Sequence, residues 1–146
     1  MTNPRLSSET VHASCVEIGG RAVLIGGRSG SGKSDLSLRL IDRGAGLVSD
    51  DYTLVRRVED RLLATAPATI EGQIEVRGVG IVEIAAVKDV PIALFVDLDM
   101  TTTRLPDPDT HRTVAGVSIP VVGLSALEAS APVKVEAALK LFGLNP

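Results

Sequence analysis

The sequence predicts an α/β domain built on a mixed sheet, and three observations carry that expectation. An apolar run, Ala22-Val23-Leu24-Ile25, leads into Gly27-Arg28-Ser29-Gly30-Ser31-Gly32-Lys33-Ser34, and the next segment spaces Leu36, Leu40 and Ile41 along one face of a helix. Further on, strand-like runs are separated by two-residue turns, the pattern of antiparallel neighbours. Of the 146 residues 45% are apolar, but with two Phe, one Tyr and no Trp the core must be Val, Ile, Leu and Ala, which suits buried strands. That length accommodates one domain, 1–146, whose polar residues 1–9 are expected to form a flexible N-terminus.

Residues 11–18 alternate as a strand, and Gly19-Gly20 predicts a tight hairpin into a second strand at 21–26. His12 then starts a strand paired with the one that feeds the glycine-rich octapeptide. That octapeptide fits G-x-x-x-x-G-K-[ST]. Its glycines open backbone conformations in which successive N–H groups form an anion nest, and a Cβ would obstruct the phosphates it cradles. Lys33 supplies a cation for the β- and γ-phosphates, Ser34 a hydroxyl for Mg²⁺, and the helix of roughly 33–43 points its positive end at the same charge.

After that helix, Gly44 marks a turn and a strand beginning at Leu47-Val48 ends in Ser49-Asp50-Asp51. A strand–helix–strand crossover places this strand parallel and adjacent to the loop strand, which brings Asp50 and Asp51 to the phosphate edge. Runs at 52–58 and 61–66 read as an antiparallel pair, so the sheet is mixed. In 70–82, glycines interrupt the apolar pattern and suggest a bend or close approach, with Glu75 and Arg77 on one side of an extended segment. Pro91 introduces the most apolar strand, which ends in Asp97-Leu98-Asp99, a second acidic candidate that competes with Asp50 and Asp51 for the metal or base role. Arg104 lies in a polar, proline-containing loop. Strands at 111–114 and 117–122 follow, and Ser130 precedes a last helix of about 131–142.

The net charge of −3 supplies no basic field for nucleic acid. Cys15 is the single cysteine, so no intrachain disulfide forms, and its place in a strand predicts a buried thiol. No run approaches the roughly 20 apolar residues of a membrane span, and the N-terminus has no hydrophobic signal core. A cytoplasmic location without membrane attachment is the expectation.

With these motifs in view, the chain resembles the catalytic domain of HPr kinase/phosphorylase from His12 onward. The resemblance rests on Gly27 to Asp51, which includes Lys33-Ser34, Arg43-Gly44 and Asp50-Asp51, followed by Ile74-Glu75-Val76-Arg77-Gly78-Val79-Gly80-Ile81. Generic phosphate-loop proteins have no reason to carry the second block. The resemblance implies a nucleotide-binding core like that of phosphoenolpyruvate carboxykinase, and transfer of a phosphoryl group from ATP, or in some members pyrophosphate, to a serine of the phosphocarrier HPr. It also implies the reverse phosphorolysis by inorganic phosphate. By position, Asp51 would be the acid/base, Lys33 the phosphate cation, Ser34 and Glu75 the Mg²⁺ ligands, and His12 and Arg104 the remaining active-site residues.

The family further implies a homo-oligomer, a hexamer, and this chain resembles a short form without the separate N-terminal domain of many members. The family's Pro-Gly-Arg-Asn stretch is replaced here by Val121-Val122-Gly123-Leu124-Ser125. A small-molecule kinase sharing the loop and a non-catalytic ATP-sensing module are the competing readings. The first would normally carry an arginine-rich lid over its acceptor, and none is visible.

Overall fold

Gly19 and Gly20, at φ of 59° and 85°, take the left-handed backbone that a two-residue hairpin demands, and they fold β2 (Ala13–Ile18) directly onto β3 (Arg21–Gly26). A computed structural model of the chain describes residues 7–146. Besides this hairpin it comprises β1 (Ser8–Val11), α1 (Lys33–Asp42), β4 (Gly46–Ser49), β5 (Thr53–Val58), β6 (Arg61–Thr65), β7 (Gln73–Val76) and β8 (Gly80–Glu83). The rest is β9 (Val90–Asp97), β10 (His111–Val114), β11 (Val117–Gly123) and α2 (Ala131–Phe142). Residues 1–6 of the expected flexible N-terminus lie outside the described residues. Ser8 and Glu9 correct that expectation, because they pair antiparallel with Arg56 and Val55 in the edge strand β1.

Among the described residues one sheet of nine strands runs β1-β5-β6-β9-β3-β2-β4, with β11 joined to β9 and β10 to β11. Strand β9 is parallel to β3 and β11 but antiparallel to β6, so the sheet is mixed as expected. Strand β6 takes the start of β9 and β11 its end, so β9 lies where the two halves of the sheet meet. Strands β7 and β8 form a separate hairpin.

Strand β4 departs from the expected adjacency. It pairs antiparallel with β2, which separates it from β3. The hairpin explains the difference: β2 saturates the free edge of β3, so the crossover through α1 must place β4 one strand further out. Because β3 and β4 both run antiparallel to β2, their carboxyl ends still share one edge. Asp50 and Asp51 therefore reach the end of the sheet where the loop leaves β3.

Two apolar layers flank the sheet. Alternation along β3 sends Ala22 and Leu24 to one layer with Cys15, Val55, Leu62 and Phe95, and Val23 and Ile25 to the other with Leu36, Leu40 and Val135 from α1 and α2. Cys15 is fully buried, which pushes its thiol pKa far up and keeps it protonated. In β9 the pairing jumps from Ala22↔Ile92 to Val23↔Leu94, so Ala93 is an extra, bulged residue. The bulge turns Phe95 toward the first layer, where its ring covers Gly26 at the foot of the loop.

Helix α1 stops at Gly44, whose φ of 109° and bond to the Ile41 carbonyl close the last turn. Arg43 then binds Glu136 of α2 through Nη2 at 2.7 Å and Nε at 3.1 Å, and this carboxylate raises the guanidinium pKa. Helix α2 starts after Ser130 as expected, but without a capping bond from the Ser130 side chain.

A Cβ on Gly26 would collide with Cζ of Phe95, whose ring also carries the Arg112 guanidinium 4.1 Å from its centroid. Gly26→Ala is expected to destabilise the fold by about 2 kcal/mol, read as a lower urea midpoint. An unchanged midpoint would mean that the ring swings aside freely.

Candidate active site

The glycine-rich loop, the candidate phosphate loop, bridges β3 and α1. Gly30 and Gly32 take φ of 82° and 101°, and Gly32 caps α1 by accepting the Leu36 N–H at 2.9 Å. Alternating backbone handedness of this kind turns N–H groups inward. A Cβ on Gly32 would also lie 2.9 Å from Ala126 Cβ, so glycine is required by contact as well as by conformation. Within the loop Ser31 Oγ is buried and has no hydrogen-bond partner among the described residues. A donor without an acceptor, a nest of amides and a helix N-terminus are features that fit a phosphate.

Lys33 is buried, and its ammonium donates to the carbonyls of Gly27 at 2.9 Å and Arg28 at 3.2 Å. Its own loop thus holds the charge across the concavity. The entrance of the loop is tied to the neighbouring strand end, because Arg28 N–H donates to Asp99 Oδ2 at 2.7 Å. Asp99 belongs to the acidic end of the apolar strand that the sequence offers as a competing candidate, and its position follows from the pairing: β9 is parallel to β3, so the residues just after β9 face the loop.

Asp50 and Asp51 follow β4 and do different things. Asp50 is buried, and its carboxylate accepts bonds from Ser34 Oγ at 2.6 Å, Ser14 Oγ at 3.2 Å and the Glu75 N–H at 2.9 Å. Asp51 takes φ of 67°, a left-handed conformation that aspartate tolerates better than most residues, and its N–H donates to Ser14 Oγ at 3.0 Å. One serine hydroxyl therefore fixes both acidic residues, inward and outward. Ser14 was missed by sequence reasoning, and only the β2–β4 pairing reveals it.

The Asp51 side chain is 52% exposed. Its Oδ1 lies 3.0 Å from His12 Nε2 and 3.8 Å from Lys33 Nζ. An ionised carboxylate only accepts, so Nε2 carries the proton of this bond. No residue among those described bonds Oδ2. The fold thus brings Lys33, Ser34, Asp51 and His12 together, and it draws Glu75 in through its main chain, since β7 is anchored on Asp50.

Glu75 is exposed, and its carboxylate has no partner among the described residues. Neither has Arg77, so the two do not form an ion pair. Arg104 stands exposed in the loop before β10 and likewise contacts no site residue. Asp97, the competing acid, is engaged elsewhere: it accepts the N–H groups of Asp99 and Met100 and an Arg112 Nη2 bond at 2.7 Å. It closes its own turn.

No group of three or more His, Cys, Asp or Glu among the described residues gathers as a metal cage. The Ser34 hydroxyl beside the Asp50 carboxylate nevertheless fits Mg²⁺, a hard cation that uses one or two protein oxygens and completes its shell with phosphates and water.

Asp50→Ala removes the acceptor of three donors, two of them buried or half-buried hydroxyls. It is expected to destabilise the protein by about 3 kcal/mol, while Asp50→Asn, which keeps an acceptor oxygen, costs less than half of that. Urea denaturation of both variants decides this, and equal losses would mean that the site tolerates unpaired donors.

A family model described as the HPr Serine kinase C-terminal domain matches residues 5–142. The HPr kinase/phosphorylase of Limosilactobacillus reuteri (strain DSM 20016) is 36% identical over 129 residues, which cover 80% of this chain and 40% of that protein. The HPr kinase/phosphorylase of Chlorobium phaeobacteroides is 38% identical over 128 residues, covering 77% and 39%. The chain thus spans two fifths or less of the length of these relatives. Among solved structures, the Hpr(Ser) kinase/phosphatase from Coxiella burnetii superimposes with a TM-score of 0.79 at 28% identity, covering 90% of this chain and 94% of that one.

Proposed function

The chain belongs to the HPr serine kinase C-terminal domain family, and we propose that it is an ATP-dependent protein-serine kinase acting on the phosphocarrier HPr or a homologue, with Mg²⁺ as cofactor. One observation carries the reading. Asp51 stands open to solvent beside the phosphate loop, with one carboxylate oxygen held by His12 and the other without a partner among the described residues. A serine on a partner protein can approach that oxygen without a lid. A small-molecule acceptor would need to be enclosed, and a mere ATP sensor has no use for an oriented base.

In this reading the Asp51 carboxylate takes the proton of the substrate serine as its oxygen bonds to the γ-phosphorus, and the bond to ADP breaks. In reverse, protonated Asp51 returns the proton to the serine while inorganic phosphate takes the phosphoryl group and leaves as pyrophosphate. Lys33, the loop amides and Arg104 offset charge on the phosphates. Ser34 and Glu75 are the residues that would hold Mg²⁺, which neutralises phosphate charge when bound. His12 holds the carboxylate in place and excludes rotation of Oδ1 toward the substrate. A homo-oligomer, and a cytoplasmic location, belong to the same proposal; no helix among the described residues is long and apolar enough to cross a membrane.

The experiment mixes the purified protein with γ-labelled ATP, Mg²⁺ and HPr. Label is expected on an HPr serine, and it is expected to vanish in Lys33→Ala with the circular dichroism unchanged. Asp51→Asn is expected to lose at least ~10²-fold in rate while still binding nucleotide. Label that never reaches HPr, with ATP bound, would leave the sensor reading standing.

Phosphorolysis is expected to be the weaker direction. The segment at 121–125 carries no cation, and its Val121 and Val122 are buried against β9. Two anionic phosphates in one site repel unless cations offset them. A high KM for inorganic phosphate in the loss of phosphoserine-HPr is the expected readout, and saturation at low-millimolar phosphate with a kinase-like rate would contradict it.

A further inference from the structure

Tyr52 has no part in the reading above, yet it follows the candidate base directly in the chain and its ring meets His12. Its ring stacks on the His12 imidazole, with centroids 4.8 Å apart and planes inclined by 24°. We propose that Tyr52 is a positioning residue, which clamps the face of the His12 ring so that Nε2 stays aimed at Asp51. The inference deepens the kinase reading and rests on it for its catalytic consequence.

The backbone around Tyr52 is built to deliver this contact. The Tyr52 N–H donates to the Asp50 carbonyl at 2.7 Å, the Ser49 hydroxyl donates to the Tyr52 carbonyl, and the Asp51 N–H is held by Ser14. These bonds close a turn in which Asp51 and Tyr52 both reach His12, one at the ring edge and one at the ring face. No other side chain among the described residues bonds the imidazole. His12 and Asp51 are 40% and 52% exposed, so neither is locked by core packing.

An exposed imidazole samples several rotamers, and each one that turns Nε2 away frees Asp51. Stacking removes those alternatives without adding a charge or a hydrogen bond. The Tyr52 hydroxyl has no partner among the described residues, so the ring face alone performs the task. Phenylalanine should then replace tyrosine at little cost, whereas alanine should not.

The test is steady-state HPr phosphorylation by Tyr52→Ala, Tyr52→Phe, His12→Ala and the Tyr52→Ala/His12→Ala double variant. Tyr52→Ala is expected to lose about tenfold in kcat with the KM for Mg²⁺–ATP unchanged, and Tyr52→Phe to recover it. In the His12→Ala background, Tyr52→Ala is expected to cost nothing more, because the ring it clamps is gone. Additive losses would overturn the proposal, as would wild-type kcat in Tyr52→Ala. A raised KM for Mg²⁺–ATP with kcat intact would also overturn it and make Tyr52 a nucleotide contact.

A readout without turnover separates this inference from the kinase reading. The His12 Nε2–H signal, assigned against a His111→Gln variant, is expected to be sharp in the wild type and in Tyr52→Phe and broadened by exchange in Tyr52→Ala. If the wild type fails to phosphorylate HPr but shows this pattern, the kinase reading falls and the clamp stands. If the signal is the same in all three proteins, the clamp falls.

Discussion

A buried carboxylate with three donors is the interaction from which the rest of the site hangs. Asp50 is drawn out of water beside the phosphate loop, and an ion placed so must be fully hydrogen-bonded or it destabilises the fold. Ser14 from the hairpin strand, Ser34 from the first turn of α1 and the Glu75 amide from β7 satisfy it. These donors come from three elements distant in the chain. The carboxylate therefore fixes the loop, strand β2 with the bend at His12 that leads into it, and the β7–β8 hairpin relative to one another, and it does so at the place where phosphates and a cation would bind.

The second constraint is topological. A two-residue glycine hairpin forces β2 against β3, and the crossover is displaced outward by one strand. Had β4 paired with β3 directly, β2 would lie elsewhere and Ser14 could not reach both acidic residues. With β2 in the middle, His12 enters next to the foot of the loop, since Ala13 is opposite Gly26. The same insertion thus supplies the imidazole and the hydroxyl that holds Asp51 in its left-handed conformation.

Much of this was legible in the sequence because it depends on local pattern. Alternation located β2 and β3 around Gly19-Gly20, although the strand expected over 11–18 breaks at the His12 bend, and it located β10 and β11; the glycines and Lys33 marked the loop, and Gly44 marked the end of α1. Non-local pairing was not legible: a strand pattern names its buried face and not its neighbour, so β2 between β3 and β4 escaped notice. The division of labour between Asp50 and Asp51 escaped for a related reason. Adjacent residues of the same type point to opposite sides, and which side is the interior depends on Ser14 and β7. In β9 every residue from Ile92 to Val96 is apolar, so the bulge at Ala93 and the placement of Phe95 left no trace. Arg104 and the Glu75 carboxylate have no structural partner among the described residues; their roles rest on family position alone.

The Ser34–Asp50–Glu75 connection couples the phosphate loop to the β7–β8 hairpin. If the proposed nucleotide and cation bind at Ser34, they would compete with or reorient its bond to Asp50, and the Glu75 amide would feel the change through the other carboxylate oxygen. The most direct measurement follows the backbone amide signals of Gly30, Gly32, Ser34 and Glu75 in isotope-labelled protein during titration with Mg²⁺ and a non-hydrolysable ATP analogue. Glu75 is expected to move with the same midpoint as the loop amides. Loop amides that shift while the Glu75 amide stays in place would contradict it.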